Sequence, residues 1–207
     1  LSPYFSAAKF AWILENIPEA KNKADTGKLC FGTIDSWLLY KLTEGKSYKT
    51  DYSNASRTQL FNLHTLKWDG LICDLFGISL ETLPEVCDSN ALFGYTDISG
   101  LLSHPIPIHA MLGDSHGALF GQGCHEKGMV KATYGTGSSL MMNIGDKFIE
   151  SKHGIVTSLA WGMDGRVNYV FEGNLNYTGA VITWLKDDMK LIDSTKEIED
   201  VALSAKP

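Results

Sequence analysis

The chain has 207 residues, enough for one large or two small domains with a sizeable core, and its 44% hydrophobic share is that of a globular protein. Eighteen Lys and Arg against 24 Asp and Glu leave a net charge of −6, which repels polyanions and excludes nucleic-acid binding driven by net charge. No apolar run reaches the roughly 18 residues a bilayer requires and no basic-then-apolar leader opens the chain, so a cytoplasmic protein without a membrane partner is expected.

Of twenty glycines, thirteen cluster between residues 113 and 179 rather than in a repeat, which excludes collagen-like and solenoid chains and places tight backbone turns there. Cys30, Cys73, Cys87 and Cys124 form no CxxC pair and have no His at zinc-ligand spacing, so they read as reduced, mostly packed thiols. The chain starts at Leu1 without Met and stops at Pro207, which reads as part of a longer polypeptide.

In chain order, residues 2–17 predict an amphipathic helix with Pro3 in its first turn, a stripe of Phe5, Ala8, Trp12, Ile13 and Ile17, and Pro18 as its stop. A short strand, Leu29 to Phe31, leads into a helix carrying Ile34, Trp37, Leu38 and Leu42 and closed near Gly45. Residues 50–68 are polar and turn-rich, and Asp69 caps a helix that ends at Gly77. The run Ile106 to Leu112 reads as a buried strand that hands over at Gly113-Asp114 to a helix. Beyond Gly128 come strands at Val130 to Tyr134, Leu140 to Ile144, Ile155 to Trp161 and Val167 to Phe171, expected as a β-meander with a hairpin at Asp164-Gly165. A helix through Val181, Ile182, Trp184, Leu185 and Met189 follows, then a polar helix or loose end. Strand-helix alternation followed by hairpins gives an α/β class with a boundary near residues 121–128.

Asp114 is the sole acid in the passage IPIHAMLGDSHGALFGQG, where a strand is expected to give way to a helix. A carboxylate at a strand's carboxyl end tends to face a cleft, where it could accept a proton from a substrate hydroxyl. Burial would raise its pKa and the helix N-terminus would lower it. The plain alternative is that Asp114 merely caps the helix. The turn Thr133-Tyr134-Gly135-Thr136-Gly137-Ser138-Ser139 lets backbone approach an anion closely and offers hydroxyl donors to phosphate, although Gly-rich hairpin turns without a ligand are commoner. Acid and turn together fit attack of a hydroxyl on a terminal phosphoryl group. A joint role for Asp114 and His116 is disfavoured because residues two apart do not share a helix face. His64, His104, His109, His125 and His153 have no ligand-like spacing, no metal ligands are assigned, and no G-x-S-x-G elbow is present.

These residues resemble the FGGY carbohydrate kinases, and within them the glycerol-kinase branch. The stretch Tyr4-Phe5-Ser6-Ala7-Ala8-Lys9-Phe10-Ala11-Trp12-Ile13-Leu14-Glu15-Asn16 is similar to a family signature, as is Asp51-Tyr52-Ser53-Asn54-Ala55-Ser56-Arg57-Thr58 with Leu60-Phe61-Asn62. Gly113-Asp114 with Ala118-Leu119-Phe120-Gly121-Gln122 resembles the catalytic segment, and Tyr134-Gly135-Thr136-Gly137 the nucleotide-phosphate turn. The resemblance implies a ribonuclease H-like, actin-like ATPase fold, with residues 1–127 closing the first (substrate) domain and 128–207 opening the second (nucleotide) domain. It implies ATP-dependent, Mg²⁺-assisted phosphorylation of a small polyol or sugar such as glycerol or xylulose. Asp114 is then the general base, Tyr4, Asp114 and Ser115 contact substrate, and Gly135, Thr136 and Gly137 contact the ATP phosphates. Lys9 and Trp12 are expected to orient the first helix, and Asn54 and Arg57 to form a network near the cleft.

Two departures stand out: Ser115 where that branch has Gln, and Ser139 where it has an aromatic. Both remove bulk, which points to an acceptor longer than glycerol. The regulatory loop near Ser99 to His104 looks shortened, so sugar-bisphosphate inhibition is not expected. The Asp-Gly-Thr phosphate loop and adenine site would lie outside residues 1–207, leaving this stretch inactive alone. Homo-oligomerisation is left open. The alternative reading is a non-catalytic actin-like module that binds sugar and nucleotide.

Overall fold

The computed structural model describes residues 4–204. Pro3, the expected first-turn residue, lies outside them. Helix α1 (Ala7–Asn16) buries Ala7 and Phe10 and packs Ile13 and Leu14 against a first core. Its inward stripe therefore begins at Ala7, and Trp12, expected on that stripe, is 58% exposed. Extended Ile17 ends the helix, and Pro18 opens a second one, α2 (Pro18–Asp25). A proline at the first helical position has no N–H to leave unpaired and a φ already suited to the helix, so it starts one helix while stopping another.

Leu29 to Phe31 do not form the expected strand. The Phe31 N–H makes a bond of 2.7 Å to the Thr82 carbonyl, and the Phe31 ring stacks on Phe10 at 4.5 Å. Helix α3 (Ile34–Leu42) buries Ser36 and Leu39, while Ile34, Trp37 and Leu38 face outward. Strand β1 (Lys49–Asp51) leads directly into a single turn of helix, α4 (Tyr52–Ala55). A short hairpin follows, β2 (Phe61–Asn62) with β3 (Lys67–Trp68). Helix α5 (Gly70–Leu75) is capped by Asp69, whose carboxylate accepts from the Leu71 and Ile72 amides at 3.1 and 3.2 Å, as its sequence position predicts.

Strand β4 (Glu85–Cys87) pairs in parallel with β1, which is the α/β layering expected, and β5 (Gly94–Thr96) pairs antiparallel with β6 (Ile106–Ile108). The ladder stops at Ile108. Residues 109–113 are irregular, so the expected buried strand does not deliver Asp114, and Ile106 is itself exposed. Helix α6 (Asp114–Gly121) then starts with Gly113 as its N-cap.

The later part of the chain is a four-stranded antiparallel sheet of β7 (Val130–Tyr134), β8 (Ser138–Gly145), β9 (Val156–Met163) and β10 (Arg166–Leu175). Its order is β7-β8-β10-β9, which corrects the expected meander. The tight turn at Asp164 and Gly165, with φ of 53° and 74°, folds β10 back onto β9. The longer connection over residues 146–155 carries β9 to the sheet edge and leaves β10 the place beside β8. A bulge shifts the register of β10 around Tyr169 on both sides. Helices α7 (Gly179–Asp187) and α8 (Ile198–Ser204) follow.

Two cores tie the parts together across residues 127 and 128. Leu119 of α6 and Cys124 pack with Met141, Ala160, Trp161 and Val170 of the sheet. Ala55 of α4 and Phe61 pack with Ile144, Leu159 and Tyr169. The helices bearing the candidate site are thus seated on the sheet by buried apolar area rather than by loops alone. Cys73 and Cys124 are buried, Cys87 is half-buried and Cys30 is exposed, all as free thiols. No described helix is long and apolar enough to cross a membrane.

Candidate active site

A cleft of about 740 Å³ opens between the two parts. One wall carries Tyr4, Asn54, Arg57, Gly113, Asp114, Ser115 and His116; the other carries Thr133, Gly137 to Ser139, Glu172 and residues 174–177. Asp114 is exposed to this space, and its side chain accepts the amide of the adjacent Ser115 at 2.6 Å. Gly113, not Asp114, is the N-cap of α6. Asp114, the first helical residue, thus takes one first-turn amide of α6 while its carboxylate lines the cleft.

Ser115 and Ser139 both line this cleft, the Ser139 hydroxyl itself being buried, and Tyr4 is exposed there. The Lys9 ammonium donates to the Tyr4 carbonyl at 3.0 Å. Arg57 donates to Glu172 at 2.7 Å and lies 5.1 Å over the Phe5 ring, and Asn174 donates to the same carboxylate at 3.0 Å. This pair spans the cleft floor between α4's loop and β10.

The glycine turn is held from behind. The Gly135 carbonyl accepts the Gly179 amide and the Thr178 hydroxyl at 2.9 and 3.1 Å, while the Thr136 carbonyl accepts the Thr178 and Ala180 amides, both at 3.0 Å. The first amides of α7 are thus spent on the turn. A Cβ on Gly137 would come within 2.7 Å of the Leu175 carbonyl oxygen, and one on Gly179 within 2.5 Å of the Gly135 oxygen, so only glycine permits this packing. Gly137 faces the Asp114 cleft. Thr136 instead lines a neighbouring hollow of about 490 Å³ with Gly179, Ala180, Thr183, Trp184 and Asp188. The turn divides the two spaces, and Gly135 lines neither.

Of three charged or titratable groups in or behind the cleft wall, Lys131 and Glu172 escaped the sequence reading, and His116 was weighed there only as a partner of Asp114. Lys131 is 1% exposed, and its ammonium donates to the Thr133 hydroxyl at 2.9 Å. Burial lowers its pKa, while the charges of Glu172 and Asp114 act in the opposite direction. Glu172 is buried beneath Arg57. His116 is 4% exposed, and burial holds its pKa down to about 4, with Arg57 and Lys131 adding to the depression and Asp114 opposing it. Its Nε2 has no hydrogen-bond partner, so no Asp114–His116 dyad forms. Alternation along β7 puts Lys131 and Thr133 on one face, which was the available signal for Lys131.

Among the described residues, no group of three or more His, Cys, Asp and Glu side chains is placed to hold a metal ion. What the site offers is an exposed carboxylate, hydroxyl-lined walls and a rigid glycine turn between two hollows. That arrangement can take a proton from a bound hydroxyl and bring backbone close to an anion.

Residues 1–121 match the N-terminal domain of the FGGY family of carbohydrate kinases. A glycerol kinase of Alkaliphilus oremlandii is 50% identical over 202 residues, which cover 98% of this chain and 40% of that protein. The crystal structure of Plasmodium falciparum glycerol kinase with ADP superposes with a TM-score of 0.91 at 36% identity, covering 99% of this chain and 41% of the other. A xylulose kinase from Lactobacillus acidophilus shares the fold, with a TM-score of 0.80 at 19% identity over 97% of this chain and 40% of the other. The chain spans about 40% of the length of the curated relatives it matches. Its fold is that of the actin-like, ribonuclease H-like ATPases. With more than half of its residues matching the family's domain and nearly all of them superposing on a member, the chain belongs to the FGGY family of carbohydrate kinases.

Proposed function

We propose that this chain forms the central part of a cytoplasmic ATP-dependent kinase for a small polyol or ketose, with residues 1–127 closing its substrate domain and 128–207 opening its nucleotide domain. Asp114 takes the proton from the acceptor hydroxyl as that oxygen attacks the γ-phosphorus of ATP. The bond from phosphorus to the ADP oxygen breaks, giving a phosphate ester, ADP and the proton held by Asp114. Tyr4 and Ser115 bind the acceptor. Gly135, Thr136 and Gly137 shape the phosphate path, with the nucleotide on the Thr136 side of the turn. Mg²⁺ would neutralise phosphate charge, but the described residues do not themselves form its site.

The observation that carries this reading is the placement of Asp114 and Gly137 on opposite walls of one cleft, with a second hollow behind the turn. Ser115 and Ser139, both small residues lining that cleft, support an acceptor longer than glycerol. The test is to assay the full-length polypeptide carrying this segment with ATP, Mg²⁺ and a panel of glycerol, longer polyols and ketoses. The reading expects a phosphate ester from at least one acceptor, with kcat/KM for a longer one above that for glycerol. No acceptor-dependent ADP with any of them would contradict the kinase; a preference for glycerol would overturn only the longer acceptor.

A further inference from the structure

Residues 109–113 carry Asp114 to its position without a β-ladder. Two hydrogen bonds hold this segment to neighbouring parts of the chain. The Met111 amide donates to the Ser89 carbonyl at 3.0 Å, and the Gly113 amide donates to the Ser53 hydroxyl at 2.9 Å. Both serines converge on one carboxylate. Asp51, fully buried at the end of β1, accepts the Ser53 hydroxyl at 2.8 Å and the Ser89 hydroxyl at 2.6 Å. It also accepts the amides of Ser53 and Asn54 at 3.1 and 3.0 Å and the Asn54 side-chain amide at 2.8 Å.

Five donors on two oxygens make the group acceptor-only, which a carboxylate satisfies and an amide cannot. The same carboxylate caps α4. Ser89 extends the connection to the sheet, accepting the Gly162 amide of β9 at 3.2 Å through its hydroxyl and donating its own amide to the Gly162 carbonyl at 2.6 Å. One buried group therefore links β1, α4, the segment before α6 and β9.

We infer that Asp51 is the positioning residue of the base: acting through the Ser53 hydroxyl and through Ser89, it sets where Gly113 starts α6 and so where Asp114 meets the acceptor. This rests on Asp114 being the base. A buried and fully paired hub is stiff, because any donor it releases is left unsatisfied in a low-dielectric interior. Phosphoryl transfer depends on placing the base to within a fraction of an ångström, so a loosened hub costs rate more than binding.

The experiment is steady-state kinetics of the full-length polypeptide with Ser53→Ala, which removes the hydroxyl bridging Gly113 and Asp51. Ser53→Cys keeps the bulk with a weaker donor, and serves for the same readout if Ser53→Ala does not fold. Thr43→Val is the control, since the buried Thr43 hydroxyl likewise bridges two backbone groups, the Leu39 carbonyl and the Ser47 amide, but away from the cleft. The expected result is a fall in kcat on the order of 10-fold or more for the Ser53 variant. KM for ATP and acceptor should stay within about twofold, and Thr43→Val should keep its kcat. A folded Ser53 variant with kcat within about twofold of the parent, or a loss matched by Thr43→Val, overturns the assignment. Asp114→Asn in the same assay separates the two claims: if it is dead while Ser53→Ala is unaffected, only the positioning role falls, and if it is active, the base assignment falls and the positioning role with it.

Discussion

His116 is neutral at physiological pH because charging it would place a cation in a buried wall already facing Arg57 and Lys131. Its folded pKa, about 4, lies below the ordinary 6.5, so the unfolded chain binds the extra proton first as pH falls. The stability due to this group is present above pH 6.5 and is lost as pH drops toward 4, amounting to about 3 kcal/mol across that window. His116→Gln should flatten the pH dependence of the denaturation midpoint between pH 6.5 and 4, and an unchanged slope would contradict it. Asp114 stood out as the sole acid from Ile106 to Gly123, and it lines the cleft. Lys131 was not legible: alternation along β7 puts it on one face with Thr133, but which face is buried is set by distant parts of the chain, and the charges of Glu172 and Asp114 favour its cation there.

At the scale of elements, the glycine turn shows how a strand connection becomes a fixed feature. Its two carbonyls consume the first amides of α7, and its glycines admit backbone oxygen atoms at distances no side chain tolerates. Gly137→Ala should push the end of β10 away from the turn, lowering kcat/KM of the full-length polypeptide by about 10-fold or more while the fold persists. Activity equal to the parent would show that the turn does not shape the phosphate path. The Asp164-Gly165 hairpin was readable because its chemistry is local. The place of β10 beside β8 was not, since strand order is set by non-local pairing. The apolar run before Asp114 misled for a related reason: periodicity registers apolar residues, but whether they join a ladder depends on a partner strand, and here Ser53 and Ser89 accept the backbone amides instead.

For the whole molecule, the two parts meet through shared cores under α4 and α6, and the cleft above them inherits its shape from that seam. The α/β class followed from strand-helix alternation, while the specific architecture came from ordered motifs spread along the chain. The kinase reading stands on one carboxylate facing a glycine turn, and replacing that carboxylate tests it most directly. In the full-length polypeptide, Asp114→Asn should abolish acceptor-dependent ADP formation, a loss on the order of 10²-fold or more, while ATP and acceptor still bind with near-parent affinity by calorimetry. Turnover within a few-fold of the parent, with both ligands still bound, would contradict the assignment of Asp114 as the base.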